Sequence, residues 1–250
     1  MRLLSLFVVA ILFTASPWLA QAADDEKNTV LVTGANRGIG LELARQYTAD
    51  GWHVIGTARR PDAAKELQAT GARVVQLDVT DPDSVAAMAA AIAGESIDVL
   101  INNAGILPTM GSLAEVDFDT FERILAVNTT GPARVTQALL PNLRNGELKK
   151  IMNTTSGLGS ISANTSGGFY GYRESKAALN MFTKSIASEL GPEGFVCIVM
   201  NPGWVQTDMG GPEAPVMVED SAAGIRSVIA AVDADDNRTF WTFDGKPQPW

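Results

Sequence analysis

The chain has 250 residues, a net charge of −9 and 46% hydrophobic residues, which suits one α/β domain with a sizeable core. Its acidity argues against duplex DNA or an anionic membrane surface as a partner. One cysteine, Cys197, excludes an intramolecular disulfide, and with His53 as the one histidine a zinc centre or a Ser-His-Asp triad is hard to assemble.

Residues 1–22 read as a leader rather than as part of the fold. Arg2 precedes the apolar run Leu3–Ala15, Ser16-Pro17-Trp18 breaks it, and Ala20-Gln21-Ala22 forms a small-x-small cleavage site. This pattern predicts a signal peptide and export to a periplasm or the outside. A retained N-terminal membrane anchor is the alternative, and only then would a membrane be a partner. Residues 23–250 then form the folded domain.

From Thr29 onward strands alternate with helices. Strands are expected at Thr29–Val32, Trp52–Thr57, Arg73–Leu77, Asp98–Ile101, Lys150–Asn153, Phe195–Met200 and Thr239–Thr242. His53 falls in the second of these and reads as a structural strand residue. Helices are expected at Ile39–Asp50, Pro61–Thr70, after the cap-like Asp81-Pro82, across a long region from Asp119 to Leu143, and at Gly171–Leu190 and Ser221–Val232. The Gly- and Pro-rich segment Gly203–Pro215 reads as a mobile loop. Such alternation predicts an α/β fold, a parallel sheet with helices on both faces.

The first strand runs into Thr33-Gly-Ala-Asn-Arg-Gly-Ile-Gly40 and then into a helix. A helix N-terminus offers unpaired N–H groups and a partial positive charge, and glycines let the backbone approach a phosphate closely. The spacing, Gly34-x-x-x-Gly38-x-Gly40, is neither G-x-G-x-x-G nor a P-loop.

Further motifs follow in order: Asn102-Asn-Ala-Gly105, Asn128, Ser156, Tyr172-x-x-x-Lys176 and Pro202-Gly203. Together with the glycine turn, this series resembles the short-chain dehydrogenase/reductase family in its single-domain branch. The segments Tyr172–Asn180, Asn201–Gly210 and Asp244–Trp250 resemble the subgroup of sniffer-type carbonyl reductases and cell-signal proteins. The resemblance spans residues 28–250. It implies a single-domain Rossmann fold with a parallel seven-stranded sheet, an NADP(H) cofactor, no metal, a small carbonyl or alcohol substrate, and a homodimer or homotetramer.

Site residues follow from the same resemblance. Catalysis is expected from Asn128, Ser156, Tyr172 and Lys176. Cofactor contacts are expected from Gly34, Asn36, Arg37, Gly38, Ile39 and Gly40 in the turn, from Arg59, and from Asp78 and Val79 at the adenine. Asn102, Ala104 and Gly105 would line its middle. Tyr172, Lys176, Pro202, Gly203, Val205 and Thr207 would hold its nicotinamide end. A buried Asn102/Asn103 pair is equally readable as structural, capping strand ends.

The chemistry can also be argued directly. Tyr172 and Lys176 are four apart and share a helix face. A neighbouring ammonium is expected to lower the tyrosine pKa from its usual ~10, so that the phenol can exchange a proton with a substrate oxygen. Tyr170 competes for this role, but Glu174 stands four residues after it, the wrong charge. Ser156 would donate to the substrate carbonyl; Ser160 and Ser162 compete, with Ser162–Phe169 forming a flexible insertion. Pro132 has no N–H for the carbonyl of Asn128, which is thereby freed to hold a water or simply marks a kink.

Ala58 stands where NAD-preferring relatives place an acid. Arg37 and Arg59 could both pair with a 2′-phosphate, and no carboxylate is expected to oppose it, so NADP(H) is expected. The substrate pocket is expected among 106–111, 158–169 and 204–218, where Phe169, Trp204, Met209 and Met217 suggest apolar walls. Two other readings remain open: an exported, catalytically weak binding or signalling protein on the same fold, and an epimerase or dehydratase.

Overall fold

Seven short strands lie side by side in a computed structural model that describes residues 27–108 and 111–250. The leader expected at 1–22 lies outside the described residues, as does the 109–110 part of the expected pocket. The strands are β1 (Thr29–Val32), β2 (His53–Ala58), β3 (Arg73–Gln76), β4 (Val99–Asn102), β5 (Lys150–Thr154), β6 (Val196–Asn201) and β7 (Phe240–Thr242). Every pairing is parallel and the order is β3-β2-β1-β4-β5-β6-β7. Helices cover both faces, so central strands are apolar throughout rather than alternating with polar residues.

Period-two geometry divides these side chains between two cores. Val30, Val32, Ile101 and Met152 pack against helix α1 (Gly38–Ala49), the short α2 (Lys65–Ala69) and, late in the chain, α8 (Val218–Ala231). Leu31, Leu100, Ile151 and Cys197 face α3 (Pro82–Ala91), α5 (Gly131–Ala138), α6 (Leu140–Asn145) and α7 (Tyr172–Leu190). The strand order reverses between β1 and β4. In such sheets ligands bind at that switch point, outside the carboxyl ends of the strands.

Most element boundaries differ from the sequence reading by a residue or two, and three differences are larger: the helix expected at Pro61–Thr70 is reduced to α2 behind a short turn at Pro61–Ala63, and two more follow. The expected continuous helix 119–143 is divided into α4 (Phe118–Leu125), a π turn at Ala126–Thr130, α5 and α6. Pro132 cannot donate to Asn128, and the chain widens so that the Gly131 N–H reaches the Ala126 carbonyl. Pro141 in the first turn of α6 ends α5 in the same way. The expected mobile loop after β6 is instead closed on itself. Gln206 N donates to Val216 O (2.9 Å), Val216 N to Trp204 O (3.2 Å) and Trp204 Nε1 to Gly210 O (2.7 Å), while Val205 and Ala214 are buried.

Asp98, expected as the first residue of a strand, lies just before β4 and ties three segments together. Its Oδ2 accepts from Thr29 N (2.8 Å), and its Oδ1 from Glu147 N (2.8 Å) and Leu148 N (3.3 Å). It is 5% exposed. Asp98→Ala orphans these donors and is expected to cost about 3 kcal/mol, or about 10 °C in thermal unfolding. A Tm change below about 2 °C would show that water replaces the carboxylate.

No helix among the described residues is long and apolar enough to cross a membrane.

Candidate active site

The glycine turn is held to the end of β4 by side-chain hydrogen bonds. Thr33 Oγ1 accepts from the N–H groups of Asn103 and Ala104 (3.0 Å each). Asn103 Nδ2 donates to the carbonyls of Thr33 (3.0 Å) and Gly34 (3.3 Å). Gly34 and Gly38 have φ of 65° and 54°, the left-handed region. Helix α1 starts at Gly38 with no side chain capping its N-terminus and no acidic residue in its first turn, which leaves its N–H groups open to an anion. A Cβ on Gly40 would sit 2.5 Å from Asn103 Nδ2 and 2.6 Å from the Gly34 carbonyl. Gly40→Ala is therefore expected to displace Asn103, open the turn and weaken nucleotide binding by about tenfold or more, read by calorimetric titration. Unchanged binding would mean that the turn does not form the cradle.

Around this turn, Asn36 and Arg37 are exposed and Ile39 packs on the first core. Arg37 does not stand free of carboxylates. Its Nη1 donates to Asp208 Oδ2 at 2.9 Å, from the loop after β6. The partner lies 171 residues away in sequence, beyond any local reading of charge. Both side chains are mostly exposed, so the pair is weak and exchangeable. Arg59 is exposed at the end of β2, beyond the buried Ala58. Asp78 accepts from Thr80 N (2.9 Å) and Thr80 Oγ1 (2.6 Å); the Thr80 hydroxyl, and more weakly Arg59, holds its pKa below the usual carboxylate value. Val79 is buried against Gly131, where a Cβ would come within 2.8 Å of it.

At the end of β4 the two asparagines separate in role. The Asn102 side chain turns into the interior, donating to Thr136 Oγ1 (3.1 Å) and Asn153 Oδ1 (2.8 Å), and Asn153 continues to Thr183 Oγ1 (2.8 Å). Its side chain thus follows the structural reading, leaving main chain to face a ligand. Ala104 is held through its N–H on Thr33. A Cβ added to Gly105 would stand 3.4 Å from Asn128 Oδ1 and 3.7 Å from Lys176 Nζ, so both groups converge there.

Asn128 is fully buried within the π turn. Its Oδ1 accepts from Ile106 N (2.9 Å), and its Nδ2 donates to Ile106 O (3.0 Å) and Ser175 Oγ (3.1 Å). The side chain therefore spans from the segment after β4 to α7. Lys176 is 4% exposed and its Nζ donates to Thr154 O at 2.7 Å. Burial lowers its pKa to about 8. The same ammonium lies 5.7 Å from the centre of the Tyr172 ring.

Tyr172, 8% exposed, opens α7. The expectation that its pKa falls is corrected here: burial raises it, and the Ser156 side chain facing the phenol opposes the rise only in part. Desolvation of the phenolate outweighs the favourable neighbours. Ser156 ends the β5 segment in an extended conformation, its Oγ accepting from Leu158 N at 3.2 Å. The competing serines are used elsewhere. Ser160 Oγ accepts from Ala163 N, and Ser162 Oγ donates to the Trp250 carbonyl at 2.6 Å.

Sequence reasoning missed what holds this region. Arg173, 9% exposed, donates to the carbonyls of Leu158, Gly167 and Gly168 and to Ser166 Oγ, all at 3.0–3.3 Å. With Trp250 at Ser162, it fastens the segment expected to be a flexible insertion. No local pattern marks these contacts.

The last expected group closes over the turn. The Pro202 carbonyl accepts from Ser221 Oγ (2.8 Å), Gly203 has φ 85° above Phe243, and Val205 is buried. The Thr207 methyl lies 3.3 Å from where a Cβ on Gly38 would stand, and Thr207 Oγ1 accepts from Gly210 N (3.2 Å).

Comparison with known proteins is concordant. A sequence profile for short chain dehydrogenase matches residues 28–216. C-signal of Myxococcus xanthus is 47% identical over 154 residues, covering 62% of this chain and 93% of that protein. Carbonyl reductase Sniffer of D. melanogaster superposes with a TM-score of 0.84 at 34% identity, covering 90% of this chain and all of that one. An NADPH-bound carbonyl reductase from chicken fatty liver gives 0.83 at 33% identity, with 90% and 99% covered. With its glycine turn, its seven parallel strands and a tyrosine and lysine one turn apart on α7, this chain belongs to the short-chain dehydrogenase/reductase family of oxidoreductases, alongside sniffer-type carbonyl reductases and C-signal.

Proposed function

We propose that the chain is an NADP(H)-dependent carbonyl reductase, moving hydride between the nicotinamide and a small carbonyl or alcohol substrate. The observation that carries this reading is the convergence of Tyr172 with Ser156, and of Lys176 with Asn128 at Gly105, beside a glycine turn that has no room for a side chain at Gly40. The NADPH-bound chicken enzyme supports the choice of nucleotide.

In this reading the turn and the N-terminus of α1 take the phosphates, and Arg37 and Arg59 the 2′-phosphate. Asp78 and Val79 border the adenine. The main chain at Asn102, Ala104 and Gly105 lines the middle, while Pro202, Gly203, Val205 and Thr207 close the far end. When bound, the nicotinamide supplies the hydride for reduction. Ser156 donates a hydrogen bond to the substrate carbonyl, and Tyr172 gives its proton to the oxygen as the alkoxide forms. Lys176, fixed on Thr154 O, keeps positive charge beside the phenol. Asn128 aligns α7 with the segment after β4, and its main-chain carbonyl, to which Pro132 cannot donate, would hold a water on the path that returns the proton.

Titration with NADPH and NADH, following energy transfer from tryptophan, tests this. NADPH is expected to bind more tightly, and Arg37→Ala with Arg59→Ala to weaken it by about tenfold or more while leaving NADH little changed. Equal loss for both nucleotides would remove the 2′-phosphate assignment.

The leader at 1–22 supports export, and with the similarity to C-signal it favours a second reading, an exported binding or signalling protein on this fold. Absence of binding by either nucleotide to folded protein would make that reading the better one. A reporter fused after residue 24 and active only in the cytosol would rule out export. A dimer or tetramer is proposed for either reading.

A further inference from the structure

Residues 247–250 follow the last strand of the sheet, yet they reach back to the site. After β7 the chain turns, with Gly245 N donating to Thr242 O (3.0 Å), and doubles back along that strand. Pro247 pairs antiparallel with Trp241, and Gln248 N donates to Phe240 O at 2.7 Å. Covering an edge strand needs only such main-chain pairing. The side chains of this segment make further contacts, and all of them lead toward Ser156, Gly203 or α7.

Gln248 stands between the ends of β5 and β6. Its Oε1 accepts from Asn201 Nδ2 at 2.9 Å. Asn201 in turn accepts from Gly203 N at Oδ1 (3.1 Å) and from Phe243 N at its carbonyl (2.9 Å). Pro202-Gly203 is therefore set by an asparagine whose own amide is aimed by Gln248. On the other side lies Gly157, the neighbour of Ser156. A Cβ added there would stand 3.0 Å from Gln248 Nε2 and 3.2 Å from Asn201 Nδ2. The chain at Ser156 and the turn at Gly203 thus rest on one pair of amides.

Trp250 holds the same stretch farther along. Its carbonyl accepts from Ser162 N (3.1 Å) and Ser162 Oγ (2.6 Å). Its ring packs on that of the buried Phe240, with centroids 5.6 Å apart. The Lys184 ammonium, on the helix that opens with Tyr172, lies 4.5 Å from the centre of the Trp250 ring. Residues 157–162 are thereby held at both ends, by Gln248 and by Trp250. Hydrogen bonds between amides fix direction as well as distance, which packing alone does not.

We infer that Gln248 and Trp250 are positioning residues: they tie the segment after β5 to the turn after β6, and so set Ser156 relative to the Gly203 end of the site. The inference rests on the reductase reading above, in which Ser156 holds the substrate oxygen and Gly203 borders the nicotinamide. Hydride transfer depends steeply on that separation, although neither residue touches a reacting atom.

The test uses the purified full chain with NADPH and 4-nitrobenzaldehyde as the probe carbonyl. Gln248→Ala is expected to lower kcat about tenfold while KM and the Kd for NADPH stay within about twofold. Gln248→Glu keeps the acceptor for Asn201 and is expected to recover most of that rate. Asp98→Ala lies at the opposite end of the sheet; it should lose stability but keep the wild-type kcat per folded molecule. Amide hydrogen exchange is followed alongside, without turnover. Gln248→Ala is expected to speed exchange in 156–162 and in 202–207 together and not in β1 or α1, and Trp250→Ala to speed it in 160–163. Exchange unchanged or faster throughout, kcat unmoved by Gln248→Ala, or an equal loss of kcat in Asp98→Ala would overturn the inference and leave the reductase reading standing. Wild-type protein that neither binds NADPH nor reduces the probe, with both segments loosened by Gln248→Ala, would bear out the tie and remove the reductase reading.

Discussion

Tyr172→Phe is expected to lower carbonyl reduction by roughly a thousandfold while leaving the fold and NADPH binding nearly unchanged. The substitution removes one hydroxyl. The ring keeps its buried place at the start of α7, with the Lys176 ammonium 5.7 Å from its centre. What is lost is the proton donor facing Ser156. Because burial holds the phenol above its ordinary pKa, the wild-type acid stays protonated throughout the neutral range, and reduction is expected to be flat with pH there. The rate should then decline as Lys176 loses its proton near its lowered value of about 8. Steady-state rates across that range, with bound NADPH quantified by fluorescence, provide the check. A variant keeping a tenth of the wild-type rate would remove Tyr172 as the acid.

Lys176→Met should divide activity from stability. Turnover is expected to fall at least about a hundredfold, since the positive charge beside the phenol is gone. Stability at neutral pH is expected to rise. Lys176 is 4% exposed, and its pKa falls from 10.5 to about 8 on burial, so the folded state holds its ammonium at a cost of about 3 kcal/mol. Methionine fills similar space without charge and forgoes the bond to Thr154 O, worth about 1 kcal/mol. The net gain is about 2 kcal/mol, or about 5 °C. The cost depends on pH. Below the folded pKa both states carry the proton and the cost is constant. Between there and 10.5 the unfolded chain binds more protons than the folded one, so wild-type stability rises with pH. The advantage of the variant should therefore shrink between neutrality and pH ~9.5, measured by thermal unfolding at both values. A variant less stable than wild type at neutral pH would mean that the ammonium is stabilised by more than its one hydrogen bond.

The two outcomes together describe a site that accepts a stability cost for its chemistry, as strained or desolvated functional groups commonly do. Arg173 contributes in the opposite sense. It closes the segment between Ser156 and Tyr172 with hydrogen bonds to loop oxygens, and so fixes the chain that joins these two residues.

Whatever depends on neighbours in sequence was legible without coordinates. Runs of apolar residues between helical periods dictate a parallel sheet covered on both faces, and the sheet is so arranged. The glycine spacing dictates a turn that lacks a side chain at Gly34, Gly38 and Gly40, and Gly40 has no space for one. A spacing of four positions from Tyr172 to Lys176 dictates one helix face, and the ammonium lies by the ring. Covalent spacing sets each of these. Tertiary structure alone decided the rest: that burial raises the Tyr172 pKa, that Arg37 meets Asp208, that Asn102 turns inward while Asn103 holds the turn, and that Trp250 fastens Ser162. Desolvation depends on which distant segments cover a group, and a hydrogen bond between residues 88 or 171 positions apart exists only once the chain has brought them together.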